Sequence, residues 1–140
     1  MNDNCIFCKI AAHVIPSRIL FEDDNFMVIL DQFPSSLGHT LVIPKNHCEN
    51  IFDIPEDTAA GLQRLVVKAA KALRDSLGTH NINILQNNGP LAGQTVFHYH
   101  VHIIPRYDGD SVSFKWSAAK PTAEEFETCA EKIRAVFVRS

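Results

Sequence analysis

The segment His98-Tyr99-His100-Val101-His102 places three histidines at every second position. In an extended strand alternate side chains point to the same face, so these three imidazoles are predicted to form one row. The opposite face would carry apolar side chains: Phe97, Tyr99, Val101 and Ile103. Three titratable rings side by side are a poor packing solution for a core, and they bring acid-base, nucleophilic and metal-ligand chemistry together.

His100, at the centre of the row, is the candidate nucleophile. One of its ring nitrogens can attack while the other donates a hydrogen bond to a fixed acceptor, which selects the tautomer. Histidine attacks phosphorus well and is also a good leaving group. A transient phosphohistidine would therefore divide one difficult transfer into two easier steps.

The residues that precede the row suit an anionic phosphoryl group. Glycines allow backbone N–H groups to approach a ligand closely, and neutral amide or hydroxyl side chains add donors. Residues of these kinds are Asn87, Gly89, Gly93, Gln94 and Thr95. The chain has no GxxxxGK[ST] and no GxGxxG motif, so neither a P-loop nor a dinucleotide-binding fold is supported.

Cys5 and Cys8 form a Cys-x-x-Cys pair near the N-terminus. In a reducing compartment such a pair indicates metal binding or redox activity more than a structural disulfide. A tetrahedral zinc site would need two further ligands. The candidates are His39, His47, Cys48 and one histidine of the row. From the residues alone, zinc and a free thiol pair both remain open.

The composition restricts the class of protein. A chain of 140 residues is expected to be one domain with a proper core. Its net charge of −3 argues against a nucleic-acid partner, which would need a clustered basic face. We find no signal peptide and no segment suited to span a bilayer, so we expect no membrane partner and a cytoplasmic location.

Hydrophobic periodicity and turn residues predict the order β-β-β-α-β-β after a short N-terminal helix. The predicted strands are 17–22, 26–31, 39–44, 81–87 and 97–105, and the predicted helices are 5–12 and 55–77. This order fits an α+β fold with a five-stranded antiparallel sheet. The long helix would cover one face of the sheet, and the histidines would lie on the other.

A C-terminal helix is predicted from a capping box at Thr122 and Glu125. Apolar residues then recur at helical spacing: Phe126, Cys129, Ile133, Val136 and Phe137. We therefore expect Cys129 to be a small buried hydrophobic residue.

These residues together resemble the histidine-triad (HIT) superfamily, and most closely its bacterial Hint-like branch. The resemblance extends from about Cys5 to Tyr107. The motifs that carry it are Cys5-Ile-Phe-Cys-Lys-Ile, Phe21-Glu-Asp-Asp, Gly38-His-Thr-Leu-Val-Ile-Pro-Lys-Asn-His47 and Gly93-Gln-Thr-Val-Phe-His-Tyr-His-Val-His-Ile-Ile-Pro-Arg106. It implies one HIT domain over 1–140, with a core of about 5–107 and a C-terminal extension of about 108–140.

The resemblance implies a nucleotide hydrolase or transferase that acts at the α-phosphate of a purine nucleotide. Typical substrates of the family are adenosine phosphoramidates, adenylated lysine and dinucleoside polyphosphates, and its members are usually homodimers. By motif position, His100 resembles the nucleophile that becomes nucleotidylated, and His102 the residue near the phosphate and the leaving group. His98 resembles the histidine that orients the site, and His39 the upstream histidine that completes it.

The same comparison of motifs implies the binding residues. Those that resemble phosphate contacts are Asn87, Gln94 and Thr95. Asp31 resembles the carboxylate that accepts hydrogen bonds from the ribose. Those that resemble the walls of the base pocket are Phe7, Ile10 and Ile29. Those that resemble zinc ligands are Cys5, Cys8, His47 and His98, and such a Zn²⁺ would be structural.

Two alternatives to an enzyme remain open from the sequence. The same pocket could serve a nucleotide-binding regulatory or interaction module with weak activity. Alternatively, the chain could be a zinc protein in which the histidine row is purely structural. The complete set of nucleophile, neighbouring histidines and phosphate loop favours the enzyme.

Overall fold

The computed structural model describes residues 2–137 and 139. Its helices are α1 (Ile6–Ala11), α2 (Glu56–Leu77) and α3 (Ala123–Phe137), and a 3₁₀ turn lies at Pro90–Ala92. Its strands are β1 (Ile19–Glu22), β2 (Phe26–Leu30), β3 (Thr40–Pro44), β4 (Ile82–Leu85) and β5 (Val101–Pro105). In the described ranges no helix is both long enough and apolar enough to span a bilayer.

The five strands form one antiparallel sheet in the order β1-β2-β3-β5-β4. The strand β5 therefore lies between β3 and β4, which places the histidine segment next to residues from both neighbours. The predicted fold class, an α+β fold with a five-stranded antiparallel sheet, a long helix and a C-terminal helix, is confirmed.

The long helix α2 covers one face of the sheet. Glu56 and Asp57 lie in its first turn, where carboxylates interact favourably with the positive end of the helix dipole. Gly78 ends the helix in the left-handed conformation with φ of 73°. The core between α2 and the sheet contains Leu62, Leu65, Val66 and Leu73 from the helix and Val28, Val42, Val101 and Ile103 from the strands.

The last strand is shorter than predicted, because regular pairing begins at Val101 and not at Phe97. The partner strand β3 ends at Pro44, and Val42 is the last residue of β3 that pairs with β5. Beyond it, the backbone N–H of Tyr99 donates to the carbonyl of Cys48 at 2.7 Å. The alternation of faces still continues, since Tyr99 packs in the α2 core whereas His98 lies on the opposite side against α1.

The C-terminal helix α3 begins at the predicted capping box. The Thr122 backbone N–H donates to the Glu125 carboxylate at 2.7 Å, and the Glu125 N–H donates to the Thr122 hydroxyl at 3.2 Å. The prediction that Cys129 is buried is wrong, because the thiol is exposed. The periodic stripe exists, but it faces away from the core, and no described side chain of α3 is buried.

Candidate functional site

Four predicted metal ligands converge on the side of the sheet opposite α2. Cys5 caps α1, because its sulfur accepts a hydrogen bond from the backbone N–H of Cys8 at 3.4 Å. This cap directs both sulfurs towards His47, which follows β3, and towards His98. One ligand atom from each of the four residues lies within 4.8 Å of all the others.

The separations inside this Cys₂His₂ cluster match those of a tetrahedral metal site. The Nδ1 atom of His98 lies 3.3 Å from Cys5 Sγ, 3.5 Å from Cys8 Sγ and 3.2 Å from His47 Nδ1. Cys8 Sγ lies 3.4 Å from His47 Nδ1. A tetrahedron with Zn–S bonds of about 2.3 Å and Zn–N bonds of about 2.0 Å has edges of roughly 3.3 to 3.8 Å. The donor set and its spacing therefore fit Zn²⁺.

The tautomer of His98 supports the same interpretation. Its Nε2–H donates to the carbonyl of Pro44 at 2.7 Å, so in the neutral ring Nδ1 carries a lone pair. That lone pair faces three heteroatoms at once, and hydrogen bonding could satisfy only one of them. Burial lowers the pKa of His98 to about 4, which keeps the ring neutral as a metal ligand requires.

His100 is held in the opposite tautomer. Its Nδ1–H donates to the backbone carbonyl of His98 at 2.7 Å, which leaves the lone pair on Nε2. The edge-to-face contact with Phe7, at 5.0 Å between ring centroids, fixes the plane of the imidazole. Burial lowers the pKa of His100 from its ordinary value, so the ring is neutral near pH 7.

A chain of hydrogen bonds fixes the tautomers of His39 and His102. The backbone N–H of Ser35 donates to His39 Nδ1 at 3.0 Å, so the neutral ring carries its proton on Nε2. The Nε2–H of His39 donates to His102 Nδ1 at 2.8 Å. Asp31 Oδ2 lies 3.5 Å from His39 Nε2. His102 in turn holds its proton on Nε2, and burial lowers its pKa to about 4.

Three of these histidines line a cavity of about 510 Å³, called here the histidine cavity. The predicted residues that it brings together are His39, His100, His102, Asn87 and Thr95. Gly93 also lines it and adopts φ of +89°, a conformation that only glycine adopts readily. The cavity thus combines one imidazole lone pair, one imidazole N–H donor and several neutral donors, which suits a phosphoryl group.

The side chain of Gln94 lies outside that lining. It is buried, with its Nε2 donating to the carbonyls of Glu49 at 2.7 Å and Val96 at 3.2 Å. Its Oε1 accepts from the backbone N–H of Gly89 at 2.8 Å. The hydrogen bonds of the Gln94 side chain therefore stabilise the loop that carries Gly93 and Thr95.

A second cavity, the apolar cavity, has a volume of about 470 Å³ and is mostly apolar, and both Ile10 and Ile29 line it. Asp31 directly follows β2 and is not among the residues that line either cavity. Its neighbours Leu30 and Gln32 line the apolar cavity, and its Oδ2 lies 3.5 Å from Nε2 of His39, which lines the histidine cavity. Phe7 is buried and contacts the rings of His98 and His100. Residues that sequence reasoning did not place at this cavity are Ile6, Ile15, Pro16, Ser17, Arg18, Leu30 and Leu41.

Sequence reasoning also missed one wall of the histidine cavity. Residues from the C-terminal extension form it: Ser111, Val112, Ser113 and Phe114. The local signal was the pair Arg106 and Asp110, because opposite charges four residues apart directly after a strand can fix a turn. Lys115 and Trp116, for which no role could be assigned from the sequence, are both exposed.

Comparisons with known proteins identify the family of this chain. A family model described as the HIT domain matches residues 12–109. An adenosine 5′-monophosphoramidase of Schizosaccharomyces pombe is 38% identical over 131 residues, which are 93% of this chain and 96% of that protein.

Two solved structures extend the comparison to the fold. A HIT family protein of Bacillus subtilis has a TM-score of 0.89 at 42% identity, over 95% of this chain and 96% of that chain. A zinc-bound histidine triad family protein of Mycobacterium smegmatis has a TM-score of 0.75 at 36% identity, over 95% and 97%. The similarity therefore covers nearly the whole chain in each case.

Proposed function

This chain belongs to the HIT domain family, as its motifs predicted, and on that premise we propose that it is a zinc-bearing nucleotide hydrolase. It would act at the α-phosphorus of a purine nucleotide through a nucleotidyl-His100 intermediate. The observation that carries the proposal is the hydrogen bond from His100 Nδ1–H to the carbonyl of His98, which leaves the Nε2 lone pair available. Catalytic histidines need this arrangement of one fixed and one reactive nitrogen.

In the first step, His100 Nε2 attacks the α-phosphorus, and the bond from phosphorus to the leaving nitrogen or oxygen breaks. The leaving group takes a proton from solvent, while the Nε2–H of His102 donates a hydrogen bond to the departing atom. In the second step, water attacks the same phosphorus, the N–P bond to His100 breaks, and the proton of that water returns to solvent. The balance is hydrolysis to a nucleoside monophosphate and the free leaving group.

The nucleotide would lie across both cavities. Asp31 would accept hydrogen bonds from the ribose, and the base would pack in the apolar cavity against Ile10 and Ile29, with Phe7 behind it. Asn87 and Thr95 would donate to phosphate oxygens. Gln94 would contribute to phosphate binding indirectly, because its side chain stabilises the loop that carries Thr95. The Cys₂His₂ cluster would hold Zn²⁺ as a structural cross-link between α1, the segment after β3 and His98.

The sequence resemblance also leads us to propose one HIT domain with a core of about 5–107, and a homodimer. In this sheet β4 is an edge strand, and unpaired edges are sites for association. Ile84 on β4 and Val67 on α2 are respectively 47% and 46% exposed. Both residues line one shallow cavity between these elements, so this edge offers apolar surface to a second copy.

The test is turnover of adenosine 5′-phosphoramidate by the zinc-loaded protein, combined with intact-mass analysis after a rapid alkaline quench. Wild type is expected to release AMP and to show a mass gain of one adenylyl group. His100→Ala should lose at least about a thousandfold in turnover and show no adduct, yet still bind AMP. His13→Ala, which changes an exposed histidine paired with Glu22, is the matched control.

Full turnover by His100→Ala would refute the mechanism. Tight AMP binding by wild type without turnover of phosphoramidates, adenylated lysine or dinucleoside polyphosphates would refute the enzyme. That second result would favour the nucleotide-binding regulatory module.

A further inference from the structure

Arg106, directly after β5, fixes the start of the C-terminal extension. Its guanidinium binds both carboxylate oxygens of Asp110, with Nε to Oδ2 at 2.8 Å and Nη2 to Oδ1 at 2.9 Å. It also donates to Asn83 Oδ1 on β4 at 2.9 Å and to the carbonyl of Val112 at 2.7 Å. One side chain therefore connects the sheet to two points of the extension.

Asp110 completes this turn from the other side. Its carboxylate accepts the backbone N–H of Tyr107 at 2.9 Å and that of Val112 at 3.1 Å. The hydrogen bonds from Arg106 hold the pKa of Asp110 well below its ordinary value, so the pair stays charged in any neutral buffer. Tyr107 is anchored separately, because its hydroxyl donates to the carbonyl of Leu37 at 2.7 Å.

The segment held in this way is the wall that faces His100 and His102. Ser111, Val112, Ser113 and Phe114 all line the histidine cavity. The Phe114 ring lies 5.9 Å from the Arg106 guanidinium carbon, a contact that adds a cation–π interaction to the anchor. Within residues 2–137, neither Ser111 nor Ser113 makes a side-chain hydrogen bond, so both hydroxyls are available to a ligand.

The position of the wall indicates which part of a substrate it meets. Among the described residues, none lines both the apolar cavity and the histidine cavity. A nucleoside in the apolar cavity would place its α-phosphate at His100, and the group on the far side of phosphorus would extend into the histidine cavity. Phosphate donors from Asn87 to Thr95 form one part of that cavity, and the 111–114 segment forms another part.

We propose that Arg106 and Asp110 are positioning residues that hold the 111–114 segment as a leaving-group wall, and that Ser111 and Ser113 contact the leaving group. This inference rests on the proposed function, since it assigns a specificity role within the same site. The wall comes from the same chain as His100.

The experiment compares two substrates that share the adenylyl group and differ only in the leaving amine. One is the unsubstituted phosphoramidate, which releases ammonia, and the other carries an arylethyl amine that fills the cavity. For Asp110→Asn and for Ser111→Ala/Ser113→Ala, kcat/KM should fall about tenfold with the bulky amine, as expected for lost ligand hydrogen bonds. With the ammonia substrate it should change less than about twofold, since that leaving group does not reach the wall.

Two controls separate positioning from general damage. Asp75→Asn removes the exposed pair with Arg74 on α2 and should change neither substrate. Trp116 is the only tryptophan, and it lies two residues beyond Phe114. Its fluorescence anisotropy should fall in Asp110→Asn and should stay unchanged in Asp75→Asn and in the double serine variant.

The outcomes distinguish this inference from the function beneath it. An equal loss with both substrates, or no loss with either, would overturn the leaving-group wall while leaving the hydrolase intact. Unchanged Trp116 anisotropy in Asp110→Asn would overturn the positioning role of the ion pair. Failure of wild type to release AMP from either substrate would refute the proposed function, and the leaving-group assignment would fall with it.

Discussion

The backbone carbonyl of His98 accepts the Nδ1–H of His100 at 2.7 Å, while the ring of His98 belongs to the Cys₂His₂ cluster. One residue therefore connects a metal-ligand set to the candidate nucleophile. Its two ring nitrogens and its carbonyl oxygen are all engaged, so a shift of the ring would move the acceptor that selects the His100 tautomer.

Loss of a cluster ligand is expected to remove the metal and loosen α1. Cys8→Ser should reduce bound zinc from one ion per chain towards none, because one of the two thiolates is lost. A destabilisation of ~3 kcal/mol would lower the thermal midpoint by about 10 °C in a domain of this size. Metal analysis and calorimetry give the two readouts.

Cys129→Ser is the matched control, because its thiol is exposed on α3. It should keep both the zinc and the thermal midpoint. Wild-type zinc content in Cys8→Ser would exclude the Cys₂His₂ cluster as the site of binding.

Replacement of His39 should lower kcat more than it raises KM. Without the Nε2–H of His39, the Nδ1 of His102 loses its donor, and His102 no longer has one preferred tautomer. We expect a loss of about 10- to 100-fold in kcat, the range found when a partner that orients a metal-bound histidine is removed. Steady-state kinetics on adenosine phosphoramidate measure both parameters for His39→Ala.

His39→Gln provides the conservative comparison, since its amide can still donate to His102. It should recover part of the lost kcat. If His39→Ala raises KM alone, then His39 contributes to ground-state binding and does not orient His102.

The order of the elements and the histidine spacing could be predicted from the sequence because both depend on local patterns. Alternation placed Tyr99 and His98 on opposite faces, and α2 ends at Leu77, as predicted. The beginning of β5 could not be predicted, since it depends on where pairing with β3 stops, at Val42 and Val101, and on the backbone N–H of Tyr99 donating to Cys48 instead. Strand pairing is a property of two segments and is not visible in either one alone.

The residues of the site also fall into those that could be predicted from the sequence and those that could not. The histidines and cysteines were recognisable from spacing, and the structure brings Cys5, Cys8, His47 and His98 together as the motif resemblance implied. The wall at 111–114 was missed because its position follows from the tertiary contacts of Arg106. The burial of Cys129 was mispredicted because an apolar stripe on a helix shows which face is apolar, but not whether this chain covers that face.

Acid should destabilise the protein through His102. Burial lowers its folded pKa to about 4 from an ordinary value of 6.5, so between these values the unfolded chain binds the proton more readily. The contribution of His102 to the free energy of unfolding is then fully present above about pH 6.5 and declines as the pH falls towards 4. The charged or titratable groups that face His102 are Asp31, His39 and His100.

Urea unfolding from pH 4 to pH 8 measures this effect. His102→Gln, which removes the titrating ring, should flatten the slope between pH 4 and 6.5 relative to wild type. An identical slope in both proteins would assign the acid sensitivity to other groups. Substitution of the exposed His13 controls for the removal of any histidine and should leave the wild-type slope.

Dimerisation through the β4 edge should depend on its exposed apolar side chains. Ile84→Lys places a charge on the edge strand, where it would be buried against a second copy, and charges on edge strands oppose pairing. Sedimentation equilibrium should give twice the 15.6 kDa chain mass for wild type and a mixture with monomer for the variant. Leu91→Lys is the control, because Leu91 is fully exposed in the turn after β4 and belongs to neither β4 nor α2. A monomeric wild type would contradict the dimer, and a stable dimer of Ile84→Lys would place the interface on another surface.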